Sequence, residues 1–333
     1  MKVLVYMGPR RMELHAVPDP EPGPGDVVVA TSAAAVCGSD LHGFREASPR
    51  RIPPLVMGHE AVGTLAAVGD GVDPALVGRR VVLKPILPCG ACEACLAGWT
   101  NICPNGRLVG RELSGAFGER FVVPSSGVVA ISPDVPDDVA TLVEPLANAV
   151  HVATRAVSEG DDVLVIGAGP IGALMARMAS EGGARRVFAT DRVPARLELI
   201  RAQGAIPLDA EATEGALREA TDGRGVDVVI DAVGVEPTWT LALRAVRPGG
   251  RIEAVGLGAG AVAIDSFAVI GKEARITGSF AWTDEDFLRA LALVEAGAID
   301  TAGWFTDAPL AEGQRAFEEL VDTTERLKVV LHP

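Results

Sequence analysis

Hydrophobic and polar positions along this chain follow two rhythms. Up to about residue 146 the apolar residues come in short runs rich in β-branched side chains, such as "DVVVATSAAAV", "AVGTLAAVG" and "RRVVLKPI". Gly, Pro and Asp separate these runs, a pattern that predicts a β-rich or barrel-like domain with its functional residues on loops. From about residue 147 apolar strands alternate with amphipathic helices: "DDVLVIGAG", "PIGALMARMASEGGA", "RRVFATD", "PARLELIRAQGA", "VDVVIDAVG", "TWTLALRAVRPGG" and "RIEAVGLG". Such alternation predicts a parallel sheet with crossover helices. Beyond about residue 277 a short helical and β tail ends in "RLKVVLHP" and is expected to return to the first domain. The predicted organisation is therefore an α/β chain with a β-rich partner domain: 1–146, then 147–276, then 277–333.

Length and charge narrow the function classes. A chain of 333 residues, 48% hydrophobic and 22% charged, can bury two ordinary cores. The first residues, "MKVLVYMGPRRMELH", contain one apolar run broken by Gly8 and Pro9, and no window approaches the roughly 20 apolar residues of a membrane span. A cytoplasmic protein without membrane association is expected. A net charge of −14 argues against a nucleic-acid partner, because phosphate-backbone affinity needs a lysine and arginine excess.

One strand of the second region runs directly into a glycine-rich turn. In "VLVIGAGPIG", Gly167, Gly169 and Gly172 bracket Pro170 and Ile171 at the start of a predicted helix. Glycines so spaced permit a tight turn, close approach of backbone to a pyrophosphate, and close helix-to-strand packing, while the helix N-terminus offers N–H groups to phosphate. The next strand ends in Asp191, 19 positions after Gly172. A carboxylate there can hold ribose hydroxyls and repels a 2′-phosphate, so NAD is expected over NADP. Arg192 and Arg196 follow closely and are residue types that an NADP site recruits.

The cysteines point to metal. Cys89, Cys92, Cys95 and Cys103 lie in the single lobe "CGACEACLAGWTNIC". An odd total of five cysteines in a reducing compartment disfavours disulfides. Four thiolates complete a tetrahedral zinc site and leave no open position, so this lobe (89–103) is expected to be structural. The fifth cysteine, Cys37 in "AAAVCGSDLHGF", precedes "LVMGHEAVG" with His59 and Glu60. A thiolate, an imidazole and a carboxylate leave a fourth zinc position open to substrate, as a catalytic metal requires. At this level the carboxylate is either Glu60 or Glu144 of "LVEPLANAVHV".

Together "CGSD", "GHEAVG", the CxxCxxCx7C lobe, "EPLANAVHV", "VLVIGAGPIG" and the terminal "LKVVL" resemble the zinc-dependent medium-chain alcohol dehydrogenase family, in order and across essentially the whole chain. Glu144, at a position where the liver-type enzymes have cysteine, makes the polyol branch (sorbitol, threonine and sugar-alcohol dehydrogenases) most similar. The resemblance implies a GroES-like catalytic domain, a Rossmann doubly wound parallel sheet that binds NAD, an active-site cleft between them, and two zinc ions per chain, one catalytic and one structural. It assigns Cys37, His59 and Glu144 to the catalytic zinc, with Glu60 as an alternate ligand exchanging with water. It gives Asp40 the task of orienting His59 through the free ring nitrogen, and gives Ser39 a hydrogen bond to the substrate hydroxyl. His42 matches the proton-relay histidine of some members; taken alone it reads equally as an exposed loop histidine. His15, His151 and His332 have no partner pattern and are read as structural. One departure is Gly38 after Cys37, where liver-type enzymes carry an arginine for the cofactor pyrophosphate.

The implied reaction is hydride transfer between an alcohol and the nicotinamide, the hydroxyl proton leaving through Ser39 and His42. The pocket is expected to take a secondary alcohol of a polyol, sugar alcohol or cyclitol. Arg45, Arg50 and Arg51 in "GFREASPRRIPP" are read as a solvated charged loop, with reception of an anionic substrate group as the alternative. A zinc-free reductase of the quinone-reductase type would lack the Cys37, His59 and Glu144 set, and a non-enzymatic binding protein on this scaffold would have an impaired site. A homodimer or homotetramer is implied by the family; "GGRIEAVGLGAGAVAID" reads either as an edge strand for subunit pairing or as an internal strand.

Overall fold

The computed structural model describes residues 1–49, 51–323 and 327–333. The chain forms two compact units, Met1–Glu144 with Thr283–Pro333, and Pro145–Trp282.

In the first unit the strand Asp26–Ala35 is central. It pairs antiparallel with Glu60–Val68, Arg120–Pro124 and Lys328–His332, in a seven-stranded sheet completed by Arg80–Leu83, Val128–Ala130 and Phe305–Pro309. The C-terminal segment thus returns to this unit, where Val330 lies opposite Ala35. Alternation along these strands sends Val27, Val29, Leu65, Val81 and Val329 into a core shared with Phe44, Phe117 and Phe317. Phe317 stacks between the other two rings, at centroid distances of 5.2 and 5.8 Å, the tilted and edge-on geometries aromatic quadrupoles favour.

Register determines where chemistry can gather. Ala35 lies opposite both Glu60 and Val330. Because the three strands run antiparallel, the residue just before Glu60, the residues just after Ala35 and those just before Val330 all emerge at one end of the sheet. These are His59, Cys37 and Lys328.

In the second unit six parallel strands lie in the order Ile206–Asp209, Arg186–Asp191, Asp162–Ile166, Val226–Asp231, Val246–Ala254, Arg275–Gly278. Numbered along the unit this is 3-2-1-4-5-6, the dinucleotide-binding order. The strand Asp162–Ile166 is buried throughout, which is why it reads as an unbroken apolar run rather than an alternating one. The strand Val246–Ala254 is internal, and the edge strand beyond it is Arg275–Gly278, exposed along its whole length. Pairing of Arg275–Gly278 with Arg251–Ala254 puts the end of this unit at Trp282, six residues beyond the boundary suggested by the sequence.

At the amino ends of these strands Asp162, with no solvent exposure, binds Arg185, Arg186 and Arg224. Burial raises a carboxyl pKa, but the guanidinium hydrogen bonds of Arg186 and Arg185 prevail and hold Asp162 down at about 2. Among the described residues no helix is long and apolar enough to cross a membrane.

Candidate metal centres and nucleotide site

Cys37 ends the exit from the central strand and caps the helix Gly38–Arg45, with its own backbone N–H donating to Asp40 Oδ2 at 3.3 Å. Cys37, His59 and Glu60 bring ligand atoms within 4.8 Å of one another. Glu144, 8% exposed in the first turn of the helix Val143–Ala156, acts electrostatically on both His59 and Lys328.

The electrostatics of this cluster are those of an anionic pocket. Burial alone pulls the His59 pKa down, yet the charges of Asp40, Cys37 and Glu144 reverse that and raise it to about 10. Burial likewise disfavours protonated Lys328, and Glu60, Cys37 and Glu144 outweigh it, so its pKa is raised. Both bases cling to protons because thiol and carboxyl groups face them in a buried setting. Sulfur, imidazole and carboxylate together are a donor set suited to zinc, and the residues present fit that ion.

His59 Nδ1 lies 3.5 Å from Asp40 Oδ1, and its Nε2 lies 3.4 Å from Ser39 Oγ. Asp40 therefore lies beside the ring nitrogen that a ligand histidine keeps for an orienting partner, within ion-pair range but without a hydrogen bond at this distance. His42, on the same short helix, is exposed; partial desolvation and neighbouring Arg45 set its pKa below the ordinary histidine value.

Lys328 joins this cluster without any sequence motif to mark it. Its Nζ lies 2.5 Å from Glu60 Oε2, with side chains 2% and 1% exposed. The available signal was a lysine inside the apolar terminal run "LKVVL", since lysine is almost never fully buried without a partner. Arg45 is exposed, whereas Arg51 is buried and departs from the solvated-loop reading. Arg50 lies outside the described residues. Phe44 and Trp304 are core residues of the first unit and Trp282 is buried in the second.

The four-cysteine lobe also has metal geometry. Neighbouring sulfurs are 3.5 Å apart for Cys92–Cys95 and Cys89–Cys103, 3.7 Å for Cys92–Cys103 and 4.0 Å for Cys89–Cys95. Tetrahedral Zn–S bonds of about 2.3 Å require sulfurs roughly 3.8 Å apart; a disulfide would require about 2.05 Å. Backbone N–H groups of Ala91 and Cys92 lower the Cys89 thiol to about 6, while burial and the neighbouring thiols push Cys95 up to about 12.

In the second unit each glycine of the turn does something different. Gly167 takes φ +97°, where side chains are strained. At Gly172 an added Cβ would lie 1.8 Å from the Gly167 carbonyl oxygen, so the helix packs against the turn only without a side chain. At Gly169, the N-cap of the helix Pro170–Glu181, a Cβ would meet nothing within 4 Å. That open face at a helix N-terminus is where a pyrophosphate can approach. Pro170 opens the helix at a position that needs no N–H, followed by Ile171 and Gly172. Asp191 accepts from the N–H groups of Ala168 (2.7 Å) and Val193 (2.9 Å), which fixes it at the strand end with lone pairs to spare. Arg196 lies 3.8 Å from Asp191 and Arg192 is exposed.

A cysteine, histidine and carboxylate cluster in a β-rich unit, with a dinucleotide-type turn in a second unit, is the donor set and fold of a dehydrogenase. Residues 23–134 match the family model described as alcohol dehydrogenase GroES-like domain, and residues 170–296 the model described as zinc-binding dehydrogenase. The chain is 35% identical to the L-threonine 3-dehydrogenase of Chelativorans sp. (strain BNC1), over 99% of this chain and 98% of that one. Among solved structures, a short chain alcohol dehydrogenase from E. coli CFT073 complexed with NADH superimposes with TM-score 0.92 at 29% identity, covering 100% and 99% of the two chains. A putative zinc-binding dehydrogenase from Sinorhizobium meliloti 1021 bound to NADP gives TM-score 0.91 at 30% identity, covering 100% and 99%. The chain belongs to the zinc-dependent medium-chain alcohol dehydrogenase family. It is an alcohol oxidoreductase of that family.

Proposed function

We propose that the enzyme oxidises a secondary alcohol within a polar, hydroxylated substrate, a polyol, sugar alcohol, cyclitol or related compound. The observation that carries this reading is the convergence of Cys37, His59 and Glu60 within 4.8 Å beside Glu144. The name of the threonine relative, which places its reaction at position 3, supports a secondary alcohol.

Cys37, His59 and Glu144 would hold the catalytic zinc, with Glu60 as the exchanging carboxylate; the ion pair from Lys328 favours a Glu60 that stands off the metal. Cys89, Cys92, Cys95 and Cys103 would hold a second, structural zinc. The bound catalytic ion supplies Lewis acidity at the alcohol oxygen. Asp40 fixes the His59 ring, and Ser39 Oγ takes the hydroxyl proton. His42 passes the proton to solvent, and its lowered pKa keeps it an acceptor at neutral pH. The turn Gly167–Gly172 and the helix N-terminus that follows it take the pyrophosphate, and Asp191 takes the ribose hydroxyls. Arg196, engaged by Asp191, leaves NAD favoured over NADP.

Five unpaired thiols suit a reducing cytoplasm. A homo-oligomer is supported by the exposed edge strand Arg275–Gly278 and by Phe267, 85% exposed, with Ile270 and Phe280. Such an edge invites pairing with a second copy.

The test is NADH formation by zinc-replete protein across polyols, cyclitols, sugar phosphates, threonine and simple alcohols. Turnover confined to secondary alcohols and abolished by Cys37→Ser is expected. Turnover of simple primary alcohols alone would overturn the substrate class.

A further inference from the structure

Arg51 has no task in the reaction as described, yet the fold builds a place for it. An arginine in a polar, proline-containing loop ordinarily keeps its head in water. Arg51 is only 4% exposed. Its Nη2 donates to Asp40 Oδ1 and to Ser39 Oγ, both at 3.2 Å, and its Nε is buried without a hydrogen-bond partner. The aliphatic stem lies in a cradle that only glycine leaves open. A Cβ added at Gly43 would fall 2.6 Å from Arg51 Cγ and 2.8 Å from its Cβ. Gly43 is itself held by Tyr6, whose hydroxyl donates to the Gly43 carbonyl at 2.7 Å in the core.

Arg51 reaches both residues that flank the metal-ligating groups. Asp40, fully buried, divides its oxygens among Arg51, the ring of His59 and the backbone N–H of Cys37. A buried carboxylate needs a counter-charge. A ligand histidine offers an N–H but, being neutral, no charge. Arg51 supplies the permanent charge and sets the carboxylate rotamer. Ser39, accepting from Arg51, has its own proton left to donate elsewhere.

We infer that Arg51 is a positioning residue for the catalytic centre, holding Asp40 against His59 and orienting the Ser39 hydroxyl; this rests on the assignment of Cys37 and His59 as zinc ligands. Gly43 and Tyr6 belong to the same device.

The test compares wild type with Arg51→Met, Arg51→Lys and Gly43→Ala. Zinc retention against a chelator is measured at both sites, with the visible spectrum of the cobalt-substituted protein as a report on Cys37 and His59. Arg51→Met should release the catalytic-site metal about 10–100-fold more readily, while the four-cysteine site is unchanged. Arg51→Lys should fall between, with the charge kept and the fork lost. Gly43→Ala, which displaces the stem but keeps the head group, should shift the cobalt spectrum in the same direction as Arg51→Met. If Arg51→Met merely melts earlier and keeps wild-type retention and spectrum, Arg51 is structural and the inference fails alone. If wild type holds metal only at the four cysteines, the ligand assignment fails and the inference with it.

Discussion

Replacing Lys328 by methionine should destabilise the first unit severely, and the reason lies in one ion pair. Lys328 and Glu60 are almost fully buried with Nζ and Oε2 2.5 Å apart. Two unit charges about 4 Å apart attract by roughly 4 kcal/mol at an effective dielectric constant near 20. The desolvation of both groups offsets much of that, so the intact pair adds little net stability. Removing one partner is different, because Glu60 then stays buried without its counter-charge, at a cost of about 3–5 kcal/mol. In a unit of about 200 residues each kcal/mol moves the midpoint about 2–4 °C, so the expected fall is roughly 6–20 °C. Adding Glu60→Gln should recover part of the loss, with a coupling of at least about 1 kcal/mol. The sign with pH follows from the raised Lys328 pKa. The stabilisation is fully present below the ordinary lysine value of 10.5 and is lost as pH rises through the higher folded value, so wild type and variant should converge in strong alkali. The assay is thermal melting of metal-free protein followed by circular dichroism. A shift under about 2 °C at neutral pH, or no coupling with Glu60→Gln, would refute the buried-pair argument.

Further outcomes are expected elsewhere. Gly172→Ala should abolish NADH binding and lower the melting point of the second unit, because its Cβ meets a carbonyl oxygen at 1.8 Å, whereas Gly169→Ala should weaken NADH binding with little change in melting; cofactor fluorescence titration and melting separate the two. Asp162→Asn should cost about 1–2 kcal/mol at neutral pH, after allowance for its partly exposed arginine partners. The Asp162 pKa is depressed, so its contribution is present above the ordinary value of 3.8 and fades as pH falls through about 2, where wild-type and variant melts should coincide. If the proposed homo-oligomer pairs along the exposed edge strand, Ile276→Lys should shift size-exclusion mass toward monomer; an unchanged mass, or a wild type already monomeric, would count against pairing there.

What the chain reveals before folding depends on how local each signal is. The glycine turn and Asp191 were readable because strand, turn and helix are contiguous, and backbone geometry there depends on the absence of side chains. The four-cysteine lobe was readable for the same reason: four sulfurs within fifteen positions have few ways to be apart. The Cys37 cluster is less local, but two strands paired through Ala35 and Glu60 carry it. Lys328 and Arg51 were hidden because burial is a tertiary property. Lys328 reaches Glu60 only through pairing of strands almost 300 positions apart, and Arg51 is drawn inward by a vacancy at Gly43 that no local pattern announces. The edge of the parallel sheet was equally hidden, since the apolar run Val246–Ala254 is alike whether central or peripheral until its neighbour Arg275–Gly278 is placed.

The most direct measurement is zinc content per chain in wild type, Cys37→Ser and Cys103→Ser, determined in parallel by elemental analysis. The account predicts about two equivalents in wild type and about one in each variant, with alcohol oxidation lost in Cys37→Ser. Full retention of zinc by Cys37→Ser, or a wild type whose only zinc disappears with Cys103→Ser, would contradict a catalytic metal at Cys37 and His59.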